Sequence, residues 1–416
     1  MSSGNLVLPG NTSAFSWSSE LDPADHVFVT YRVTSPCSGE EVALGMAMEQ
    51  SASTLYIRGY AGPQMLEDWT IRVCRVHALA AQSAEPAVPA YFLNTEVYAQ
   101  EAAGGGTYEI ELAVPNRLLK NKPAQLLNVL VGELPRLGFL TSFRLTEVRL
   151  PDQFGPGPSF GQEGILHLLD KKRGPLLCRA MRPGVGLDTK VMAALNRDVL
   201  AGGFHLVKDD ELLCHADLDA YRHHLESMIA ARDEAMQLTG ERKLYLANLF
   251  CEPDELMPRW ELACQLGVDG VLVAPFIQGL GALPLLARQR QMPLLAHNSF
   301  ADLLSRHTAW GIDDAAICHW LRHLGADWFV SPGVFATPTM HVPNSRRLLA
   351  AACGASGSLR PMMPILQGGK FPDNLPSYRE AVGSEHFMLI VAHWVDSHSD
   401  GLERAARYFR EAVDAV

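Results

Sequence analysis

The octapeptide FHLVKDDE, Phe204 to Glu211, opens as an apolar strand and closes on four consecutive ionisable residues: Lys208, Asp209, Asp210 and Glu211. Side chains alternate faces along a strand, so Lys208 and Asp210 point one way and Asp209 the other. Glu211 begins the loop and can swing back over the strand end. If the Lys208 face is inward, three ionisable groups converge near one point. Two carboxylates suffice to place a hard cation such as Mg2+, which takes oxygen ligands and keeps several waters or substrate oxygens. A neutral lysine can also react with CO2, and the carbamate adds a third anionic oxygen ligand. Asp209, on the opposite face, has a structural or solvent-facing place. In an arbitrary loop the same run is a solvated cluster of charge, so the element that carries it decides its meaning.

That element belongs to a repeat. Eight short apolar strands follow one another, at 176–183, 204–210, 243–250, 270–276, 292–299, 328–333, 362–369 and 387–394. Between them lie amphipathic helical patterns such as DTKVMAALNRDVLAGG and DDAAICHWLRHLGAD, several closed by glycine as a C-cap requires. The strands are near-continuous apolar runs, as in a parallel sheet covered on both faces. Eight such units fit a TIM (β/α)8 barrel, whose active site lies at the C-terminal strand ends. Lys208 to Glu211 sit at such an end.

Residues 1–150 lack this beat. HVFVTYRVTS, TLYIRGY, TIRVCRV, VPAYFLNTEVYA, TYEIELAVP and TSFRLTEVRLP read as strands, and SGEEVALGMAMEQ and PAQLLNVLVGEL as helices. The mixture predicts a small α+β domain with a mainly antiparallel sheet. The Pro- and Gly-rich stretch at 151–164 is the expected junction, with the barrel domain running over 151–416.

Composition sets the outer limits. The chain has 416 residues, 48% hydrophobic and 19% charged, enough for two well-buried domains. A net charge of -11 argues against nucleic acid as the main partner. No apolar run approaches the roughly 18 residues that span a bilayer, and the start shows no basic segment leading into an apolar one, so no membrane and no signal peptide are expected. Eight scattered cysteines without CxxC pairs read as reduced thiols of a cytoplasmic protein.

GPLLCRAMRPGVGLDTK, a helix, then AGGFHLVKDDE closely resembles the large subunit of RuBisCO, whose pattern is PLLG-x-x-x-KPK-x-GLS, a helix, then GGxDFxKDDE. The likeness runs over essentially the whole chain. It implies a ferredoxin-like α+β N-terminal domain before the barrel. It also implies Lys208 as a carbamylated lysine that completes, with Asp210 and Glu211, a site for one Mg2+. The departures point to a form IV RuBisCO-like protein. Arg182 stands where the family has the lysine that acts on the substrate proton. Arginine cannot serve as such a base, though it can hold an anion or enolate. Gly184 replaces a second lysine. His297 matches the family's strand-5 histidine, and Asn298 replaces a phosphate-binding arginine. On strand 6 a histidine becomes Val330, with Ser331 beside it, and the flexible-loop lysine of the carboxylases has no counterpart. Gln367 replaces a serine before Gly368 and Gly369, and Lys370 adds a cation after them, or is a solvated loop lysine. The strand-8 phosphate loop loses its glycines at Ala392, His393 and Trp394. His393 and Asp396 are candidates to replace it with hydrogen-bonding groups.

In the N-terminal domain Glu49 matches a glutamate that reaches a neighbouring subunit's site, which implies a homodimer with a shared active site, or a higher assembly. Glu133 stands where the family has an asparagine. Each is a site residue or a surface carboxylate. The resemblance implies enolisation of a sugar phosphate or sugar acid, with the carbamate or His297 as the base. It first implies a Mg2+-dependent isomerase or tautomerase acting on a ketose phosphate of the methylthioribulose-phosphate type. The alternative is a decarboxylase or C–C hydrolase of a 3-oxo sugar acid. A third reading is a non-catalytic relic barrel, against which the cost of an unused cluster of buried charges counts.

Overall fold

The computed structural model describes residues 18, 20–49, 70–80, 105–181, 187–330 and 342–415. The chain forms two compact units: Met1–Phe154 with Asp302–Trp320, and Gly155–Ala301 with Leu321–Val416.

The first unit is built on strands β1 (His26–Ser35), β2 (Arg72–Leu79), β3 (Gly106–Pro115) and β4 (Ser142–Arg149). In β1 the alternation HVFVTYRVTS puts Val27, Val29, Tyr31 and Val33 in the core, as a strand with one buried face requires. β1 pairs antiparallel with both β3 and β4, and β2 with β3, which gives the order β4-β1-β3-β2. With the helix Gly39–Glu49 between β1 and β2, this is the ferredoxin-like arrangement expected. PAQLLNVLVGEL forms a short α-helix, Pro123–Leu127, that runs into a π-helical turn, Asn128–Gly132. The strands expected at TLYIRGY and VPAYFLNTEVYA lie outside the described residues.

The second unit carries β5 (Leu176–Ala180), β6 (Leu206–Lys208), β7 (Leu244–Asn248), β8 (Gly270–Val273) and β9 (Leu294–Ala296). β10 (Trp310–Ile312) then pairs in parallel with β4 and extends the first unit's sheet. This is why Asp302–Trp320, which sequence order places among the barrel units, groups with the first unit. The repeat does not announce it, because WGI is too short to show a period. β11 (Trp328–Val330), β12 (Met363–Leu366) and β13 (Met388–Val391) complete the second unit. All eight barrel strands pair in parallel, and β13 closes on β5 through Leu389–Leu177 and Ile390–Cys178.

Alternate residues fill the barrel. Leu176, Cys178, Leu206, Leu244, Leu246, Leu272, Leu295, Trp328, Val330, Met363, Ile365, Met388 and Ile390 form one buried cluster with Ile165 and Leu166 of the helix Gly161–Leu168. Helices separate the strands. Asp217 caps the longest, Leu218–Thr239, by accepting from Ala220 N–H at 2.8 Å, and Gly240 ends it in the left-handed region. No helix of the described residues is long and apolar enough to cross a membrane.

Candidate active site at the barrel mouth

The period of two that fills the barrel also generates the site. One step beyond the apolar layer, the next inward positions are Ala180 on β5, Lys208 on β6, His297 after β9, Gln367 after β12 and Ala392 after β13. All five line a single cavity of about 310 Å3 at the C-terminal strand ends, together with Glu211, Gly368, Gly369, Lys370, Phe371, Ile390 and Trp394. One side is ionisable; the other, from Ala180 through Ile390 and Ala392 to Trp394, is apolar.

On the ionisable side Lys208 is only 2% exposed. Its Nζ donates to the Asp209 carbonyl at 2.9 Å and to Glu211 Oε2 at 3.3 Å. His297 Nε2 stands 3.5 Å from the same Glu211 oxygen. On its other edge His297 Nδ1 accepts the Ser299 N–H at 3.2 Å, and Ser299 Oγ lies 2.7 Å away. Glu211 therefore faces both nitrogen bases. Asp210 is buried, and its Oδ1 accepts the Leu212 N–H at 2.9 Å.

Asp209 has the structural place rather than the solvent-facing one. Its fully buried carboxylate accepts from Tyr245 OH at 2.7 Å and Asn248 N–H at 3.0 Å, and meets His224 Nε2 at 3.0 Å. Burial would push this carboxyl up, but the charge of His224 and the three hydrogen bonds outweigh it and hold it below the usual range. Burial pulls His224 down, and the Asp209 carboxylate overcomes this and raises it. His215, whose ring lies tilted beside that of His224, is driven down to about 4 by burial and by that neighbouring charge.

Asn248 is the residue that sequence reasoning missed. Its Nδ2 donates to the carbonyls of Asp210 (3.1 Å), Glu211 (3.4 Å) and Leu213 (2.9 Å), clamping the loop that bears the candidate ligands. The available signal was a polar residue at the inward end of the apolar run KLYLANLF.

Across the cavity, Gly368 and Gly369 take φ values of +74° and +52°, a left-handed pair that only glycine adopts without strain. The chain doubles back there, and Lys370 Nζ donates to the Gly368 carbonyl at 2.7 Å beneath the Tyr378 ring. Lys370 is 3% exposed, and burial pushes its amine down to about 8. It is a buried cavity residue rather than a solvated loop lysine. Gln367 Nε2 reaches Asn298 Oδ1 at 3.5 Å. Asp396 is engaged by Arg179, whose Nε and Nη2 both lie 2.9 Å from its Oδ1, so it braces the turn after β13.

The structure thus brings Lys208, Glu211, His297, Gln367, Gly368, Gly369 and Lys370 together, with Asn298 at the edge and Asp210 in the adjoining loop. Glu133, in the first unit, pairs with Arg136 at 2.6 Å. Arg182 and Ser331 lie outside the described residues, as do the side chains of Glu49 and His393.

An eight-stranded parallel barrel, a ferredoxin-like sheet and a Lys-Asp-Asp-Glu strand end define a class of protein, and comparison shows what the chain is similar to. Residues 162–337 match the family model for the ribulose bisphosphate carboxylase large chain, catalytic domain. A ribulose bisphosphate carboxylase-like protein of Archaeoglobus fulgidus is 26% identical over 404 residues, 95% of this chain and 89% of that one. A 2,3-diketo-5-methylthiopentyl-1-phosphate enolase of Geobacillus kaustophilus is 26% identical over 302 residues, 71% of this chain and 73% of that one. The octameric ribulose-1,5-bisphosphate carboxylase/oxygenase of Pyrococcus horikoshii superposes with a TM-score of 0.84 at 22% identity, over 97% of this chain and 92% of that one. Residues 162–337 thus resemble the RuBisCO large-chain catalytic domain, and the chain is similar over most of its length to proteins named RuBisCO-like.

Proposed function

We propose that this protein enolises a carbonyl-bearing sugar derivative, in the first place as an isomerase or tautomerase of a ketose phosphate of the methylthioribulose-phosphate type, and that it does not fix CO2. The observation that carries the reading is the convergence of Lys208, Glu211 and His297 on one wall of the cavity, with Gln367 to Lys370 on another. Proton transfer beside a carbonyl needs a base, a donor for the oxygen and a binding group for the rest of the substrate, and these walls offer all three. The Geobacillus relative, named an enolase, supports the class of reaction. Residues 331–341 contain no lysine, which speaks against carboxylation in a family whose carboxylases carry one in that loop.

Mg2+ and CO2 belong to the same reading, and the donor chemistry fits them. Lys208 and Glu211 face each other at 3.3 Å as opposite charges. Carbamylation would turn Lys208 into an anion, leaving like charges face to face with the Asp210 carboxyl next in the chain. A divalent cation held by these three groups offsets that repulsion, so CO2 and Mg2+ are expected to bind together. When bound, the cation supplies positive charge where negative charge develops on the substrate's oxygens. The chain does the rest. His297 presents its Nε2 edge to the cavity, Gln367 and Lys370 face the substrate's other end, and Arg182 is assigned to hold an anion or enolate. Trp394, Ile390 and Ala392 exclude water. Glu49, Glu133, Asn298, Ser331 and His393 are assigned to substrate binding.

The buried Lys370, opposite an apolar wall, also suits a substrate with one anionic end. This favours, as the second reading, decarboxylation or C–C hydrolysis of a 3-oxo sugar acid. The working form is read as a cytoplasmic homodimer or an assembly of dimers. Eight unpaired cysteines support the compartment. Exposed Leu212, Ile277, Phe300 and Phe371, on the loops after β6, β8, β9 and β12, rim the mouth with apolar surface that a second copy would cover.

The test is a screen of ketose phosphates and 3-oxo sugar acids in D2O with Mg2+ and bicarbonate, followed by NMR. α-Proton exchange is expected before any other change; CO2 release without prior exchange favours the second reading. Lys208→Met should lose both exchange and bicarbonate-dependent Mg2+ binding by calorimetry. Full activity in that variant ends the carbamate assignment.

A further inference from the structure

The helix that follows β6, Leu218–Thr239, buries a stripe at helical spacing that includes Tyr221, Leu225, Met228, Ala231 and Ala235. His224 stands in the same stripe, where an apolar side chain would satisfy the packing. It is 1% exposed, and its Nε2 donates to Asp209 Oδ1 at 3.0 Å. Packing alone does not call for an imidazole aimed at a buried carboxylate.

Asp209 is the pivot through which His224 reaches the candidate metal ligands. On one side, the Asp209 carbonyl receives Lys208 Nζ at 2.9 Å. A carbamate nitrogen keeps one N–H and so can keep this bond. On the other side, Asp209 Oδ2 accepts the Asn248 N–H at 3.0 Å. Asn248 Nδ2 in turn donates to the carbonyls of Asp210 at 3.1 Å and Glu211 at 3.4 Å. The Asp209 N–H donates to the Leu246 carbonyl at 3.0 Å, which ties the same residue to β7. A measured hydrogen bond therefore forms each link from His224 to Lys208, Asp210 and Glu211. His224 itself does not line the cavity and acts only through other residues.

The carboxylate of Asp209 is fully buried, so it cannot take water in place of a lost partner. Without the His224 bond the main chain must shift to carry it toward solvent, or the charge stays under-bonded. A shift moves the carbonyl that holds Lys208 and the N–H that seats Asn248.

We propose that His224 is a positioning residue of the metal site: its Nε2–H bond fixes Asp209 and, through Asp209 and Asn248, sets the places of Lys208, Asp210 and Glu211. The proposal rests on the reading of these three residues as the Mg2+ and carbamate site.

The test compares two neutral amides of different reach. Gln places its amide nitrogen at the Nε2 position of the histidine ring, and Asn places it at the Nδ1 position, short of Asp209. Mg2+ binding in bicarbonate is read by calorimetry, and the Lys208 carbamate by NMR with isotope-labelled bicarbonate. His224→Asn is expected to lose about 10- to 100-fold in Mg2+ affinity and to need more bicarbonate for the same carbamate signal, while His224→Gln stays within about threefold of wild type. His224→Leu replaces His224→Asn if the latter does not fold. Met228→Ala, one turn along the same buried stripe, controls for loosening of the helix. It should lower the urea midpoint and keep Mg2+ affinity within about threefold. Wild-type affinity in His224→Asn, or an equal loss in His224→Gln, overturns the positioning role. So does a loss in Met228→Ala as large as that in His224→Asn, which would assign the effect to general loosening. The wild-type titration comes first. No Mg2+ binding and no carbamate signal there bring down the metal reading itself, whereas a wild type that binds beside unaffected variants brings down the role of His224 alone.

Discussion

Asp209 and Lys208 are neighbours in the chain and do opposite work. Lys208 faces the cavity, while Asp209 is turned into a dry pocket with His224 and Tyr245. Removing one partner of such a buried pair leaves the other uncompensated, so Asp209→Asn is expected to cost about 3–5 kcal/mol in urea unfolding at neutral pH. The pH dependence has a defined sign. Asp209 is lowered, so its contribution is present above its ordinary value of 3.8 and lost as pH falls through the folded value. His224 is raised, so its contribution is complete below 6.5 and lost as pH rises through the folded value. The difference between wild type and Asp209→Asn should therefore be widest between 3.8 and 6.5 and shrink on both sides. A difference that keeps growing above that window would contradict a charged His224.

At the scale of elements, the end of β6 is held by β7. Asn248 reaches across from β7 to three carbonyls of the loop that follows Lys208. Such outer-shell support is commonly worth 10–100-fold in metal affinity. Asn248→Ala is expected to weaken bicarbonate-dependent Mg2+ binding by about that factor, read by calorimetry. The loss in stability should be about 1–3 kcal/mol for each carbonyl left without a partner, since the bonds to Asp210 and Leu213 are buried. Equal Mg2+ affinity in the variant would show that the loop holds its shape without the clamp. Strand order and strand type were legible here, since LVK and LYLAN sit in apolar runs bounded by turn signals. The clamp was not, because the repeat sets β6 beside β7 but does not say that the Asn248 side chain turns to the loop after Lys208.

At the scale of the molecule, the rim of the barrel mouth is apolar on four separate loops. If a second copy covers it, Leu212→Lys combined with Phe300→Lys should shift the sedimentation velocity profile toward monomer. An unchanged profile would move the interface elsewhere. The eight barrel strands and the α+β unit before them could be read from the chain, because apolar runs with helical intervals allow few other arrangements. The pairing of β10 with β4 could not, since three residues carry no period.

The sequence alone determined the repeat, the alternation of faces along each strand and the position of the Lys-Asp-Asp-Glu motif at a strand end. All of these follow from local periodicity and turn chemistry. Only the tertiary structure decided that Asp209 is buried against His224, that Glu211 faces both Lys208 and His297, and that Lys370 shares their cavity. Those outcomes depend on barrel closure and on burial. Closure joins β13 to β5 and so brings distant loops around one mouth. Burial removes water from the Lys370 amine and so lowers the pH at which it gives up its proton, and no count of residues along the chain records how much water a side chain has lost.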